Sequence, residues 1–360
     1  MKLLDKLVLL DLLPMFGFSI ALFTSLYFAA GPMLEAVKNL SSGVPMLIVV
    51  RLLILNIPVV LALTLPMAVV LAVLNGYGRI SGDSESVAIL AAGVPFARAA
   101  APAVLFGLVT SLLGYGVSDY LAIAANQQIT ELKMTALKQI QTDTPIQIPL
   151  IKKDNLTYSI LVGKATQADN GVLENVTVTF YNEHMQPTEI VYAKRAKWAE
   201  DQNWVLYGAG GNLLGQTEEY IFNSQLSVDF HATPKTLVLL NTDPSTLSFA
   251  QLEVQAMALR AGGFFTDARK SELARWRIVA LPFASLVFAI IGSPLGLRPQ
   301  RTSQAAGWGL AVLIIFGYYV LYMVTGSMSD GGYIPPIAAA FAPDIVGLII
   351  GGVLVARAST

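Results

Sequence analysis

Four cations fall between residues 269 and 277, namely Arg269, Lys270, Arg275 and Arg277, and two more, Arg51 and Lys38, stand earlier in the chain. A guanidinium makes forked contacts with phosphate oxygens, so this set could hold a phosphorylated ligand. The same cations could instead snorkel to lipid headgroups, with Glu272 neutralising a neighbour. A second group is carboxylic. Asp83 and Glu85 lie in "YGRISGDSESVAILAAGVPF" (77–96), while Asp119 and Asp344 sit at or within apolar sequence. Much other chemistry is excluded. The chain has no cysteine, so it has no thiol nucleophile, disulfide or Cys-ligated metal. His184 and His231 are far apart and lack metal-ligand spacing. No nucleophile–base set and no plausible metal cluster stand out. No G-x-x-x-x-G-K-[ST] phosphate loop occurs, so any ATP that drives this protein binds another chain.

The elements that must position these groups are apolar. Of 360 residues, 54% are hydrophobic and 13% charged, against about 25% charged in soluble domains. A net charge of −1 points to neither nucleic acid nor a polybasic anchor. About 20 apolar residues cross a bilayer as a helix. Six segments qualify: 10–33, 46–75, 96–118, 276–296, 304–326 and 335–356. The second is long enough to tilt or project, and Pro58 and Pro66 are expected to bend it. The first exceeds a signal-peptide core and reads as an uncleaved anchor helix.

Cations set the orientation. With the N-terminus in the cytoplasm, short inner segments carry Lys2, Lys6, Arg79, Arg98, Arg298, Arg301 and Arg357, and short outer loops carry little beyond Lys38. Residues 145–241 then lie outside the cytoplasm. "VTVTFYNEHMQPTEIVYAKRAKWAEDQNWVLYGA" (176–209) alternates polar with β-branched or aromatic residues and breaks at polar turns, which predicts an all-β sandwich or jelly roll. "LSFAQLEVQAMALRAGG" (247–263) reads as a helix leading back to the membrane. The fold class is membrane α-helical with an inserted all-β domain. Its predicted parts are 1–124 with three spans, 125–265 with an extracytoplasmic β-jellyroll-like domain, and 266–360 with three more spans.

Between the second and third spans, Asp83 can cap a helix whose first turn holds Glu85 and whose end is marked by Gly93 and Pro95. About ten residues make about 15 Å, too short to span. Val87, Leu90 and Ala91 are expected on one face, with Glu85 and Ile89 on another. A simple connecting loop with a helical turn fits the spacing as well.

"GRISGDSESVAILAAGVPF" resembles the cytoplasmic coupling helix of the YjgP/YjgQ permeases, the LptF/LptG subunits of the lipopolysaccharide-export ABC transporter. "SELARWRIVALPFASLVFAIIGSPLGLRPQRTSQAAGWGLAVLIIFGYYVLYMV" (271–324) is similar to their fourth and fifth spans. The resemblance implies a non-catalytic half-transporter in a bacterial inner membrane, with both termini cytoplasmic and the β domain periplasmic. It implies a second permease subunit (a paralogue or the chain itself), a cytoplasmic ABC ATPase dimer and a membrane-anchored periplasmic β-jellyroll protein. Lipopolysaccharide is the cargo. This chain binds no cofactor, and ATP belongs to the partner ATPase. Glu85 matches the coupling-helix glutamate, flanked by Asp83, Ser84 and Arg79. For lipid phosphate, Arg277 matches best, and Arg275, Lys270, Arg269, Arg51 and Lys38 follow by location. Phe16, Phe23, Phe283, Phe288 and Phe316 are candidates for apolar cavity walls or plain helix packing. Two other readings remain: a proton-coupled lipid transporter using Asp344 and Asp119, and a membrane anchor for a periplasmic binding domain.

Overall fold

The computed structural model describes residues 3–82, 85–138, 146–153, 156–167, 172–182, 186–199, 204–213, 219–221, 226–228, 242–261, 264–297 and 304–358. Among the described residues, six helices are long and apolar enough to cross a membrane. They are α1 (Leu3–Ala30), α3 (Met46–Gly82), α5 (Phe96–Gly116), α8 (Phe265–Gly296), α9 (Gln304–Asp330) and α10 (Pro336–Ala358). Between them lie α2 (Pro32–Ser41), α4 (Glu85–Ala91), α6 (Ile123–Lys138) and α7 (Phe249–Ala261). A π-helical turn, Val117–Ala122, joins α5 to α6. α3 runs through Pro58 and Pro66 as one helix.

The chain divides into two compact units, Met1–Ala136 with Leu273–Thr360, and Leu137–Glu272. In the first, α3 is enclosed on all sides over Ala68–Leu74, where no residue is more than 3% exposed. Lipid tails are as apolar as leucine, so helices gain little by merely hiding apolar surface from them. Close approach is what holds them. α8 supplies Gly292 and Gly296 against Val73 and Tyr77 of α3. It receives Gly107 of α5 against Ala289 and Ser285, and Gly347 and Gly351 of α10 against Val287 and Ile290. Small residues at these crossings let backbones meet, so that many weak dispersion contacts add up.

In the second unit, seven antiparallel strands among the described residues form one sheet. β1 (Ile146–Lys153), β2 (Leu156–Gln167), β3 (Val172–Tyr181), β4 (Pro187–Trp198) and β5 (Trp204–Leu213) follow one another as a meander. β6 (Glu219–Ile221) and β7 (Leu226–Val228) pair with different stretches of the same β5 edge, Gly210–Asn212 and Trp204–Leu206. Val178 faces Val191 across one ladder, and Val176, Ala193 and Ala209 line the next. All five are buried, so their face of the sheet is the covered one. Trp198 and Trp204 close the β4–β5 hairpin with ring centroids 5.3 Å apart. α7 opens on a capping box: the Ser248 amide donates to Gln251 Oε1 at 2.9 Å, and the Gln251 amide to Ser248 Oγ at 3.4 Å.

A Cβ on Gly107 would lie 2.9 Å from the Ser285 carbonyl oxygen and 3.1 Å from the Leu286 Cα, atoms that cannot step aside. Overpacking of this kind costs about 1–3 kcal/mol. Gly107→Ala is therefore expected to lower the melting temperature of the detergent-purified protein. Gly317→Ala, with nothing within 4 Å, is expected to leave it unchanged or raise it slightly.

Candidate functional site

The short α4 helix is stopped at its C-terminal end by local geometry. Gly93 has φ +79°, and the Val94 amide reaches back to the Ile89 carbonyl at 3.3 Å. That six-to-one bond and the left-handed glycine make a Schellman stop. Pro95 then precedes α5, whose first turn starts with Arg98 N donating to Pro95 O at 2.9 Å. Along α4, Ile89 packs into a core made by α1, α3, α5 and α8, including Leu12, Tyr77, Ile80 and Phe96. Ala91 is exposed and Ile89 is half-buried; the Val87 and Leu90 side chains, expected on the face with Ala91, lie outside the described residues. Glu85 is exposed although it sits four residues before Ile89. Helical side chains lean toward the N-terminus, so a residue in the first turn projects past the helix end. The expected cap Asp83 and Ser84 lie outside the described residues.

Two ion pairs fasten α1 to the helices on either side of α4. Arg98 makes a forked pair with Asp5, Nη1–Oδ1 at 2.7 Å and Nη2–Oδ2 at 2.9 Å. Arg79, near the end of α3, pairs with Asp11. The Tyr77 hydroxyl adds a buried bond to the Ala99 carbonyl at 2.9 Å, joining α3 to α5. Arg79 thus ties helices together, a role its position in a charged stretch did not announce.

The cations on α8 separate into distinct settings. Lys270 pairs with Asp267 at 3.0 Å, and both are half-exposed. Arg269 donates to Thr266 Oγ1 at 3.3 Å. Glu272 is taken by Arg260 of α7 at 2.6 Å. Arg275 lies 5.3 Å from the Trp276 ring centre. Arg277 is held by a ring and a backbone carbonyl. Its guanidinium rests 3.7 Å from the Tyr322 ring centre and donates to the Tyr322 carbonyl at 2.8 Å, and Gly326 leaves the room it occupies. Its Nε is buried without a partner among the described residues. Arg51 on α3 and Lys38 on α2 are exposed, and no described contact joins either to the α8 cations.

From Arg277 an aromatic line runs inward. Tyr322 meets Tyr319 at 5.9 Å, Tyr319 meets Tyr318 at 5.6 Å, and Tyr318 meets Phe288 at 5.0 Å. Tyr319 donates to the Leu63 carbonyl at 3.2 Å, and Tyr318 to Asp344 Oδ1 at 3.1 Å. These bonds connect α9 to α3 and to α10. Asp344 is 1% exposed, and this buried bond gives it a structural partner. Asp119 takes a long 3.4 Å contact from Tyr115 within its own segment. Phe288 is core, Phe16 stacks on Phe106 at 5.0 Å, Phe23 is packed against the α3–α8–α9 cluster, and Phe316 is exposed. Phe283 is half-buried. His184, His231, Arg298 and Arg301 lie outside the described residues. Among the described residues, no group of three or more His, Asp or Glu is placed to hold a metal ion.

Residues 6–357 match the family described as lipopolysaccharide export system permease LptF/LptG. The lipopolysaccharide export system permease protein LptG of Escherichia coli strain K12 is 24% identical over 297 residues, covering 80% of this chain and 80% of that protein. LptG of E. coli O6:H1 strain CFT073 matches to the same extent. With a family match running from the first span to the last, the chain belongs to the LptF/LptG family of lipopolysaccharide export permeases.

Proposed function

We propose that this chain is a permease subunit of an ABC transporter that draws lipopolysaccharide from the bacterial inner membrane and passes it to a periplasmic β-jellyroll bridge. A separate cytoplasmic ATPase dimer drives it, and a second permease subunit, paralogue or copy, completes the conduit. Residues 1–124 and 266–360 form the two three-span halves, and 125–265 a periplasmic jellyroll-like domain that meets a membrane-anchored jellyroll partner. Both termini are cytoplasmic. The observation that carries this reading is α4: an exposed Glu85 on a short helix whose Ile89 is anchored in the core of four spanning helices. A push on such a helix travels into the bundle.

In this reading Glu85 meets a basic surface of the ATPase, with Asp83 and Ser84 beside it. Arg79 serves by holding α3 to α1. At the other end of the bundle, Arg277, Arg275, Lys270, Arg269, Arg51 and Lys38 face lipid phosphates. Arg277 is suited to a dual role, because one edge of its guanidinium is already fixed by Tyr322. Nucleotide chemistry stays on the ATPase, and this subunit is non-catalytic.

Glu85→Arg is expected to abolish lipopolysaccharide export and ATPase co-purification while membrane insertion persists. Melting should barely move, since an exposed ion pair contributes about 0–1 kcal/mol. Undiminished export and binding would exclude the coupling role. Asp5→Ala strips Arg98 of its forked partner and is expected to lower both melting temperature and export, with Glu85-dependent ATPase binding retained. Arg51→Ala should weaken retention of phosphorylated lipid on the purified protein without changing its melting. Arg277→Ala should lower both, the loss of a charge-assisted bond costing about 1.5–3 kcal/mol. Equal lipid retention in all three proteins, measured by co-purified phosphate, would remove the cations from the lipid path.

A further inference from the structure

α2 joins two spanning helices, linked to α1 through Gly31 alone and to α3 through residues 42–45. Both of its ends are therefore tied to the same side of the membrane. Its 10 residues make about 15 Å, half of what a crossing needs. It must lie near the boundary between lipid and water.

At about 100° per residue, α2 divides into three faces. Pro32 and Ala36 are buried, and Ala36 packs with Val44 and Val49 at the start of α3, which makes one face the protein side. Glu35 and Lys38 lie on a polar face, where Glu35 pairs with Lys133 of α6 at 2.5 Å. Met33, Val37 and Leu40 form the third, at i, i+4 and i+7, with Leu34 at its edge beside Lys38; they are 54%, 55%, 42% and 58% exposed. One face for the protein, one for water and one apolar face left open is the pattern of a helix lying in a membrane interface.

The geometry points to the membrane lipids themselves as the occupant of that third face: we infer that α2 is an interfacial helix whose Met33–Val37–Leu40 stripe sinks to the acyl boundary, with Lys38 at headgroup level. Continuity supports lipid as the partner. The stripe lies between exposed apolar residues at the end of α1, Leu26 and Tyr27, and at the start of α3, Met46 and Leu47. Burial of Pro32 and Ala36 sets the roll of the helix, and the half-exposed Glu35–Lys133 pair agrees with it. Lys38 keeps its ammonium at the phosphates by extending its stem, as lysines do at such boundaries. This goes beyond the transport reading, because it holds whatever cargo the protein moves.

The natural chain has no cysteine, so single-cysteine variants of the full-length protein carry one nitroxide each without background. Met33→Cys, Val37→Cys, Leu40→Cys and, for the polar side, Ser42→Cys would be labelled and placed in phosphatidylethanolamine–phosphatidylglycerol vesicles. Collision with lipid-soluble oxygen and with a water-soluble nickel chelate is then measured. The three stripe labels are expected to show an oxygen-to-chelate ratio several-fold above that at Ser42. A ratio at the stripe no higher than at Ser42 overturns the inference in favour of water. Low collision with both reagents and an immobile label at the stripe overturns it in favour of a second copy or another protein. Since all three positions are exposed, a single variant that fails to fold leaves two that decide.

Discussion

Apolar side chains gain almost nothing by exchanging lipid for the surface of another helix, and this constraint shapes the whole helical unit. What binds helices in that setting is intimate contact and the few polar groups that find each other. α8 meets both conditions. Glycines on it or facing it bring α3, α5 and α10 within backbone reach. Ser293 returns its hydroxyl to its own helix at Ile290, and Phe288 fills the space beside Tyr318. Removing α8 from this arrangement would strip α3, α5 and α10 of these close approaches and leave only the ion pairs and tyrosine bonds described above between the remaining spans.

The polar bonds divide between the two ends of the bundle. At the α4 end, charge meets charge: Asp5 and Asp11 on α1 hold Arg98 and Arg79. At the other, Arg277 is held by a ring and a carbonyl instead of a carboxylate. A guanidinium held that way keeps its net charge uncancelled and so remains able to attract an anion. The tyrosine line from Tyr322 to Asp344 then fastens α9 to α3 and α10 through bonds that lipid cannot replace.

The long elements were legible because their signals are repetitive. Six apolar runs became six long helices, and the alternation in 176–209 became β3, β4 and β5. What escaped were pairings and faces. Arg98 and Arg79 had been weighed as markers of sidedness, yet each belongs to a carboxylate on α1, and Arg98 lies 93 residues from its partner. Arg277 finds a carbonyl 45 residues away, and no motif encodes a backbone acceptor. A wheel drawn on α4 separates its faces but cannot say what Ile89 meets, which is the core of four spans. α2 had been read as loop, although Met33, Val37 and Leu40 already recur at helical spacing in it. Which cations meet phosphate and what Glu85 touches depend on molecules outside this chain, which no spacing within it encodes.

The forked pair between Asp5 and Arg98 has a bearing on biogenesis. A ribosome delivers α1 long before α5, so Asp5 reaches the membrane while its guanidinium partner is still unsynthesised. Until that moment the carboxylate must stay at the aqueous margin, and the first span, even once Arg79 of α3 has met Asp11, keeps freedom at its N-terminal turn. Emergence of Arg98 supplies the counter-charge and ends that freedom. The N-terminal half therefore acquires its final seating retroactively, when its third crossing arrives.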